Sequence, residues 1–299
     1  MKKPQVIDLF SGCGGMSLGF EKAGFEILAA FDHWKPAVDV YRQNFSHPIF
    51  QKDLSDLSII ADLKSYNPDL IIGGPPCQDF SIAGNRHFEG KRANLTIAFS
   101  NIVTSVKPKC FVMENVYNIE KSGLLPELFS TFQSAGYGLT KGVFDSSFMG
   151  VPQSRKRYFL IGKLDEKSDF MIDDLLEGLS DKRTTVRDYL GESLKTNYYY
   201  MHPRSYNRRA IFSVDEPSST IRGVNRPIPD TYKIHPADKT NNIKEVRSLS
   251  TKERSYLQTF PHNFIFEGSK SNLEQMIGNA VPVKMAQYIA EKVLLKLNE

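Results

Sequence analysis

The chain has 299 residues, of which 40% are hydrophobic, and so it can hold one large domain or a large domain with a small one. No apolar run approaches the roughly 20 residues of a membrane span, and residues 1–5 lead into a predicted strand rather than the apolar region of a secretory signal, so we expect neither a membrane protein nor a secreted one. The net charge of +4 is small, and three cysteines at unrelated spacings predict neither a disulfide framework nor a zinc site, which is typical of a cytoplasmic protein.

The first predicted element is a strand over residues 6–10, which ends at a glycine-rich turn, residues 11–15. Helical spacing follows over residues 16–21. A strand, a glycine-rich turn and a helix form the start of a doubly wound α/β unit. The turn lacks the G-x-G-x-x-G spacing, and a glycine turn alone often reflects only tight packing. It still leaves room for a ligand against bare backbone at a helix N-terminus.

A second predicted strand, residues 25–30, is followed by Asp32. An acidic residue about 20 residues after the glycine turn can accept hydrogen bonds from both ribose hydroxyls of a nucleotide-like cofactor. A solvated helix cap before Pro36 is the alternative. Trp34, the single tryptophan, suits stacking on adenine or covering the edge of the sheet equally well.

A short apolar run, residues 69–72, predicts a buried strand that ends in a rigid turn. Gly73 and Gly74 allow close backbone approach, and two prolines stiffen the chain that leaves the sheet. Cys77 lies at the tip of this segment. A free cysteine is usually a small buried hydrophobic residue. A cysteine in the core would not need the rigid Gly-Gly-Pro-Pro segment that precedes Cys77, so we interpret Cys77 as a nucleophile. The polar loop at residues 81–95 is long enough to indicate a function.

Two further strings put polar side chains at strand ends. Residues 110–113 predict a buried strand that is followed by Glu114. A buried acid is unfavourable unless it has a partner or a function. A salt bridge at the edge of the sheet is the alternative to a catalytic role. Residues 153–157 read Gln-x-Arg-x-Arg and precede a strand at residues 158–161. In an extended chain the three polar residues would share one face, either as a site or as a solvated basic strand.

From residue 191 the composition changes and indicates a small, loop-dominated second domain. Residues 191–240 are rich in tyrosine, arginine, proline and asparagine, a mixture that suits nucleic-acid contact but also occurs on ordinary surfaces. Residues 191–271 carry 13 lysines and arginines and 8 aspartates and glutamates, a net charge of +5, which leaves −1 for the rest of the chain. Such a basic segment is typical of a module that contacts phosphates, although a solvated surface gives the same balance.

In chain order, these strings resemble those of the DNA cytosine-5 methyltransferases of bacterial restriction-modification systems. The resemblance covers nearly the whole chain, and only residues 191–240 lack a specific match. It rests on the turn at residues 8–15, Pro-Cys-Gln at 76–78, Glu-Asn-Val at 114–116, Gln-x-Arg-x-Arg at 153–157 and a closing string at 278–282, which interrupts a helical segment over residues 271–296. The implied fold class is α/β, a Rossmann-like S-adenosylmethionine-dependent methyltransferase sheet with a second, small target-recognition domain.

The resemblance also implies the domains, the reaction and the partners. Residues 1–190, completed by 272–299, would form the catalytic and cofactor-binding domain, and residues 191–271 the target-recognition domain. The enzyme would flip a target cytosine out of double-stranded DNA, add Cys77 to C6 and transfer a methyl group from S-adenosylmethionine to C5. As a monomer it would protect host DNA, beside a cognate restriction endonuclease that acts on the same site without stable association.

The implied site residues form three groups. Cys77 is the nucleophile, Glu114 the protonated donor to N3 of the base, and Arg155 the cation near O2. Their supporting residues are Pro76, Gln78, Asn115, Gln153 and Arg157. The cofactor-binding residues are Asp8, Phe10, Ser11, Gly12, Gly14, Gly15, Asp32, His33, Trp34, Asp53, Leu54, Gly74, Pro75, Leu95, Asn279 and Ala280. The DNA-binding residues are Ser81, Thr220, Arg222 and Arg226, and no metal ligand is expected.

Two details and three alternatives accompany the resemblance. Asp32 stands where the family usually has glutamate and has a shorter reach, and Asp53 matches the residue that accepts from the adenine amino group. A tRNA cytosine-5 methyltransferase of the DNA-enzyme type shares the strings, but its Cys-Phe-Thr element is missing. A catalytically silent DNA-binding relative is disfavoured by the intact Cys77, Glu114 and Arg155. A nicotinamide dehydrogenase is disfavoured by the glycine pattern.

Overall fold

A computed structural model describes residues 2–76, 93–205 and 207–298 of the chain. Cys77, Gln78 and Ser81, for which the sequence predicts roles, lie outside the described residues. The strands are β1 (Gln5–Leu9), β2 (Glu26–Asp32), β3 (Ile49–Gln51), β4 (Leu70–Gly73), β5 (Cys110–Val116), β6 (Tyr137–Asp145), β7 (Lys156–Leu164), β8 (Tyr198–Tyr200), β9 (Ile211–Ser213) and β10 (Val246–Ser248). The α-helices are α1 (Gly15–Ala23), α2 (Lys35–Asn44), α3 (Ile60–Ser65), α4 (Ala93–Val106), α5 (Leu125–Ser134), α6 (Ile172–Glu177), α7 (Val186–Leu190), α8 (Thr251–Leu257), α9 (Lys270–Asn279) and α10 (Val283–Asn298).

The described residues form a seven-stranded main sheet with the order β3-β2-β1-β4-β5-β7-β6. Strands β1 to β5 run parallel to their neighbours, and β7 runs antiparallel to β5. The strand order reverses between β1 and β4, and open sheets of this kind bind ligands outside the carboxyl ends of the strands at such a reversal. The predicted α/β methyltransferase-type sheet is confirmed, with all five of its predicted strands.

The central strands are apolar because both faces of the sheet are covered. Ile7, Ile71 and Phe111 are fully buried and belong to one core cluster. Parallel strands buried on two faces read as continuous hydrophobic runs rather than as an alternation. Asp32, Glu114 and Asn115 follow such apolar runs near the carboxyl ends of β2 and β5.

The chain divides into two compact units. The first comprises Met1–Phe144, Lys156–Gly178 and Ala286–Glu299, and the second Asp145–Arg155 and Leu179–Met285. The second unit holds the small sheet β10-β8-β9 and long irregular stretches. It extends beyond the predicted segment, residues 191–271, because buried amide hydrogen bonds join flanking chain to it: Ser218 N donates to the Pro152 carbonyl, and Val283 N to that of Gln258.

The tyrosine-rich string of the second unit lies in its core. Tyr199 and Tyr200 in β8 are at most 1% exposed, and Tyr199 stacks on Phe212 of β9. Their burial explains the aromatic composition by packing, so these two rings offer no surface for nucleic-acid bases. In the described ranges, no helix is long and apolar enough to span a membrane.

Candidate active site

The glycine-rich turn joins the end of β1 to helix α1 through left-handed backbone. Phe10, Gly12 and Gly14 have φ values of +59°, +55° and +94°, a region that favours glycine. A side chain at Gly14 would collide with the ring of Phe45, so only glycine fits there. The N-cap residue of α1, Gly14, makes no side-chain hydrogen bond to the helix, so the first turn of α1 can offer N–H groups to a ligand.

Asp32 ties this turn to the end of β2. Its Oδ2 accepts from the backbone N–H of Gly12 and its Oδ1 from that of Trp34, both at 2.8 Å. A carboxylate has about four acceptor positions, so Asp32 keeps capacity for further donors such as ribose hydroxyls. The side chain of His33 is 68% exposed, whereas Trp34 is half-buried at the start of α2.

Three further predicted cofactor residues of the first unit are Asp53, Leu54 and Leu95. Asp53 Oδ1 accepts from the N–H and hydroxyl of Ser55, which orders the turn after β3. Leu54 is buried and Leu95, in α4, is half-buried. This turn presents the exposed carboxylate of Asp53 next to a buried leucine.

Gly73 and Gly74 let three strand ends come close together. A Cβ on Gly73 would lie 2.6 Å from the carbonyl oxygen of Leu9. Gly73 pairs with Met113 in the β4–β5 ladder, so the next residues, Gly74 and Glu114, stand side by side. A Cβ on Gly74 would lie 3.1 Å from Oε2 of Glu114.

Asn115 holds the base of the segment that carries Cys77. Its Nδ2 donates to the carbonyl of Pro75 at 3.1 Å, and its Oδ1 accepts from Val116 N at 2.8 Å. Pro75 is buried and Pro76 half-buried. The prolines are therefore anchored to the end of β5, next to Glu114, which supports the prediction of a rigid mount.

Glu114 forms an ion pair with Arg157. Oε1 of Glu114 lies 2.8 Å from Nε of Arg157, and both side chains are about nine-tenths buried. The antiparallel β5–β7 ladder makes this possible, since it pairs Val116 with Arg157. Burial lowers the pKa of the Arg157 guanidinium, and the charge of Glu114 works against that shift. The pair places a cation directly beside the carboxyl group that is the predicted donor to the base.

Arg155 and Gln153 engage a different set of groups, within the second unit. Arg155 is 1% exposed, and its two terminal nitrogens donate to the carbonyls of Ile221 and Gly278, each at 2.9 Å. Gln153 Oε1 accepts from Ile221 N at 2.8 Å. Both residues precede β7 and belong to the second unit, whereas Arg157 belongs to the first, and one shared face for the three side chains stays a prediction. Arg155 as a catalytic residue stays a prediction.

Gln258 completes this polar network and was missed from the sequence. It is fully buried; its Oε1 accepts from Gln153 at 2.7 Å, and its Nε2 donates to the carbonyls of Ile277 and Ala280 at 2.6 and 3.1 Å. It thus fixes the end of α9, where the predicted cofactor residue Asn279 is exposed. The available signal was a glutamine between the apolar residues of Leu-Gln-Thr-Phe, since an interior amide needs partners.

The predicted DNA-binding residues of the second unit include a cluster of like charges. Burial and the charge of Arg204 lower the pKa of Arg222, and burial with the charges of Arg226 and Arg222 lowers the pKa of His202. No carboxylate pairs with these three arginines among the described residues. Thr220, by contrast, has an internal role, since its hydroxyl donates to the carbonyl of Ser154.

Comparison with known proteins gives matches over the whole chain. The family model for C-5 cytosine-specific DNA methylases matches residues 4–295. The Type II methyltransferase M.HindV of Haemophilus influenzae is 57% identical over 292 residues, covering 97% of this chain and 96% of that protein. The Type II methyltransferase M.HgiDI of Herpetosiphon aurantiacus is 53% identical over 296 residues, covering 99% and 96%.

Solved structures show the same fold at lower identity. The Dnmt2 methyltransferase of S. pombe matches with a TM-score of 0.76 and 22% identity, and all of both chains is covered. The methyltransferase EhMeth of Entamoeba histolytica matches with a TM-score of 0.74 and 20% identity, again over all of both chains. At these identities the likeness concerns the fold.

Proposed function

The chain belongs to the C-5 cytosine-specific DNA methylase family, and we propose that it methylates C5 of one cytosine within a fixed site of duplex DNA. M.HindV and M.HgiDI are Type II methyltransferases. This chain would be one as well, and it would protect host DNA from a cognate endonuclease. One observation carries the assignment of the site. Gly74, Asn115 and Glu114 lie close together where β4 and β5 end. The segment that leads to Cys77 therefore starts beside the buried ion pair of Glu114.

S-adenosylmethionine fits the glycine-rich turn. The hydroxyl of Ser11 and Oδ1 of Asp8 are buried and have no hydrogen-bond partner among the described residues, a state that native proteins rarely leave unexplained. Asp32 supplies further acceptor capacity beside them. When bound, the cofactor supplies an electrophilic methyl group on a sulfonium. Asp32 would accept from the ribose and the turn would enclose the methionine part.

Cys77 would act on a base that has left the duplex, because C6 of a stacked cytosine is out of reach. Its thiolate adds to C6, the C5–C6 double bond opens, and C5 becomes nucleophilic. Negative charge develops on N3 and O2. Glu114, once protonated, would donate to N3, and the cation of Arg157 beside it would stabilise the negative charge that develops on the base. Once C5 carries the methyl group, a base removes the C5 proton, the C5–C6 double bond re-forms and the thiolate of Cys77 leaves C6.

Contact with DNA is proposed for the cationic cluster of the second unit, Arg204, Arg222 and Arg226. Like charges without counter-charges are unfavourable in isolation, and a polyanion removes the repulsion. Phosphate contacts position a protein on the duplex without reading its sequence. We also propose that residues 191–271 read the DNA site. The enzyme would act as a monomer and would form no stable complex with an endonuclease.

Bisulfite sequencing tests this function. Plasmid DNA is incubated with purified protein and S-adenosylmethionine, and protected cytosines are mapped. We expect one short site to be methylated at every occurrence, on both strands if the site is symmetric. DNA that stays unmethylated, with a protein that binds S-adenosylmethionine, would contradict the proposal. The same reaction with transfer RNA tests the alternative substrate.

A further inference from the structure

A chain of hydrogen bonds runs from beneath the glycine-rich turn to solvent. Oδ2 of Asp8 in β1 accepts from the Ser17 hydroxyl of α1 at 2.5 Å, and Ser17 Oγ accepts from the Tyr41 hydroxyl of α2 at 2.7 Å. The Tyr41 oxygen lies 2.6 Å from Nε2 of His47, whose Nδ1 lies 3.2 Å from Oε1 of Glu21. Asp8, Ser17 and Tyr41 are buried, and the side chain of Glu21 is 35% exposed.

These distances are compatible with two proton arrangements that hold the same number of protons. In the first, His47 is an imidazolium that donates to Tyr41 and Glu21, Tyr41 donates to Ser17, Ser17 donates to Asp8, and Asp8 is ionised. In the second, the Nε2 proton of His47 has moved to Tyr41, the Tyr41 proton to Ser17 and the Ser17 proton to Asp8. His47 and Asp8 are then both neutral. The change needs no proton from solvent.

The inner end of the chain faces the predicted cofactor site. Oδ1 of Asp8 is buried without a partner among the described residues, as is the hydroxyl of Ser11 two residues beyond the end of β1. The other charge that acts on Asp8 is the carboxylate of Asp32 on β2; from α2 the neutral hydroxyl of Tyr41 faces the chain, and Glu21 acts on Tyr41 from α1. Two carboxylates beside one turn favour a cationic ligand.

Packing couples the chain to the turn. The ring of Tyr41 stacks on that of Phe45 at a centroid distance of 4.2 Å, and His47 packs against both rings. Phe45 in turn occupies the space that a side chain at Gly14 would need. The hydrogen-bonded side chains and the ligand-binding backbone therefore share one aromatic cluster, which keeps the donors and acceptors in line.

We propose that Asp8, Ser17, Tyr41 and His47 form a proton wire through which the charge on Asp8 follows the charge of the bound cofactor. The inference rests on the proposed use of S-adenosylmethionine at this turn. S-adenosylmethionine carries a sulfonium charge and favours ionised Asp8 with protonated His47. The demethylated product, S-adenosylhomocysteine, lacks that charge and favours neutral Asp8 with neutral His47. The wire thus strengthens binding of the methyl donor relative to its product.

The energetics suit such a device. Burial raises the pKa of Asp8 to about 7. Protonated and ionised Asp8 are therefore both accessible near neutral pH. A ligand that differs by one charge can then select between them, since it needs a differential interaction of only a few kcal/mol.

Nitrogen-15 NMR of His47 in the wild-type protein tests the wire without catalysis. The chain has six histidines, and His47→Gln identifies the His47 resonances by their loss. We expect imidazolium shifts for His47 with S-adenosylmethionine and neutral-imidazole shifts with S-adenosylhomocysteine at the same pH. Identical His47 shifts in the two complexes would overturn the proposal.

Calorimetric affinities for the two ligands give the second readout. Tyr41→Phe keeps the ring and removes the hydroxyl that the wire needs, so the preference for S-adenosylmethionine over S-adenosylhomocysteine should fall about tenfold, or ~1.4 kcal/mol. Tyr137→Phe is the matched control, since its hydroxyl is buried on the Pro108 carbonyl, and should leave the preference unchanged. An unchanged preference in Tyr41→Phe would overturn the wire, whereas a wild-type protein that binds neither ligand would overturn the proposed cofactor and this inference with it.

Discussion

Glu114 and Arg157 form a buried ion pair across neighbouring antiparallel strands, with 2.8 Å between Oε1 and Nε. The sequence suggested Arg155 as the cation of the active site, but the guanidinium of Arg155 donates to the carbonyls of Ile221 and Gly278. The carboxylate that would contact the base is thus supported by the second arginine of Gln-x-Arg-x-Arg. The two arginines differ in their partners: Arg157 pairs with the carboxylate of Glu114, and Arg155 donates to backbone carbonyls.

We predict that Arg157→Ala lowers the rate of methyl transfer by roughly 10²–10³, the scale for loss of one charge-stabilising group. The remaining carboxylate would be buried without its partner, so thermal stability should fall as well. Single-turnover kinetics with labelled cofactor measure the rate. Arg187→Ala, which removes an arginine paired with Asp215 in the second unit, is the control. Full activity of Arg157→Ala would show that the ion pair is only structural.

Asp32→Ala should weaken S-adenosylmethionine binding by about tenfold or more, because hydrogen bonds to a charged group contribute roughly 1.5–3 kcal/mol. The substitution removes the acceptor for Gly12 N and Trp34 N as well as for the ribose. Titration calorimetry gives the dissociation constant. Asp39→Ala, which removes an exposed carboxylate that pairs with Lys35, should leave it unchanged. Equal affinity of Asp32→Ala and wild type would move the ribose contact elsewhere.

Stability should depend on pH through Asp8. Burial raises its pKa from the ordinary 3.8 to about 7, so the folded protein binds this proton more tightly than the unfolded chain does. The resulting stabilisation is complete below about pH 4 and is lost as the pH rises to 7, by roughly 1.4 kcal/mol per pH unit within that window. Asp8→Asn has no such dependence. Urea unfolding at several pH values should therefore show that the free energy of unfolding of Asp8→Asn rises relative to that of wild type between pH 4 and 7. An equal dependence of the two free energies on pH would contradict the raised pKa of Asp8.

How much the sequence predicts depends on whether the signal is local. The strand ends that carry Asp32 and Glu114 were predicted, because buried strands are apolar runs and a polar residue directly after them stands out. The pairing of Glu114 with Arg157 was not predicted, because it depends on the register between β5 and β7. Gln153 and Gln258 hydrogen-bond across 105 positions, and Ser17 and Tyr41 across 24. No periodicity in the sequence marks such contacts, so the buried network and the hydrogen-bonded chain became visible only in the folded structure.

Salt dependence tests the cationic cluster of Arg204, Arg222 and Arg226. Arg226 is exposed and has no carboxylate partner among the described residues, so Arg226→Ala should weaken DNA binding to cognate and unrelated duplexes alike. The slope of log affinity against log salt should fall by about 0.9 for one lost phosphate contact. Arg209→Ala, whose arginine pairs with Glu216, should leave the slope unchanged. A loss confined to the cognate duplex would instead indicate base reading by Arg226.

The most direct test of the central claim is covalent trapping on a duplex that carries 5-fluorocytosine at the target position. Cys77 can add to C6 and the methyl group can reach C5, but the last step requires loss of a proton from C5, and fluorine cannot leave as a cation. With S-adenosylmethionine we predict an enzyme–DNA adduct that survives denaturing electrophoresis and requires the cofactor. Cys77→Ser should form no comparable adduct, because a serine hydroxyl is a far weaker nucleophile near neutral pH. Absence of the adduct from wild-type protein that methylates the unfluorinated duplex would contradict nucleophilic catalysis by Cys77.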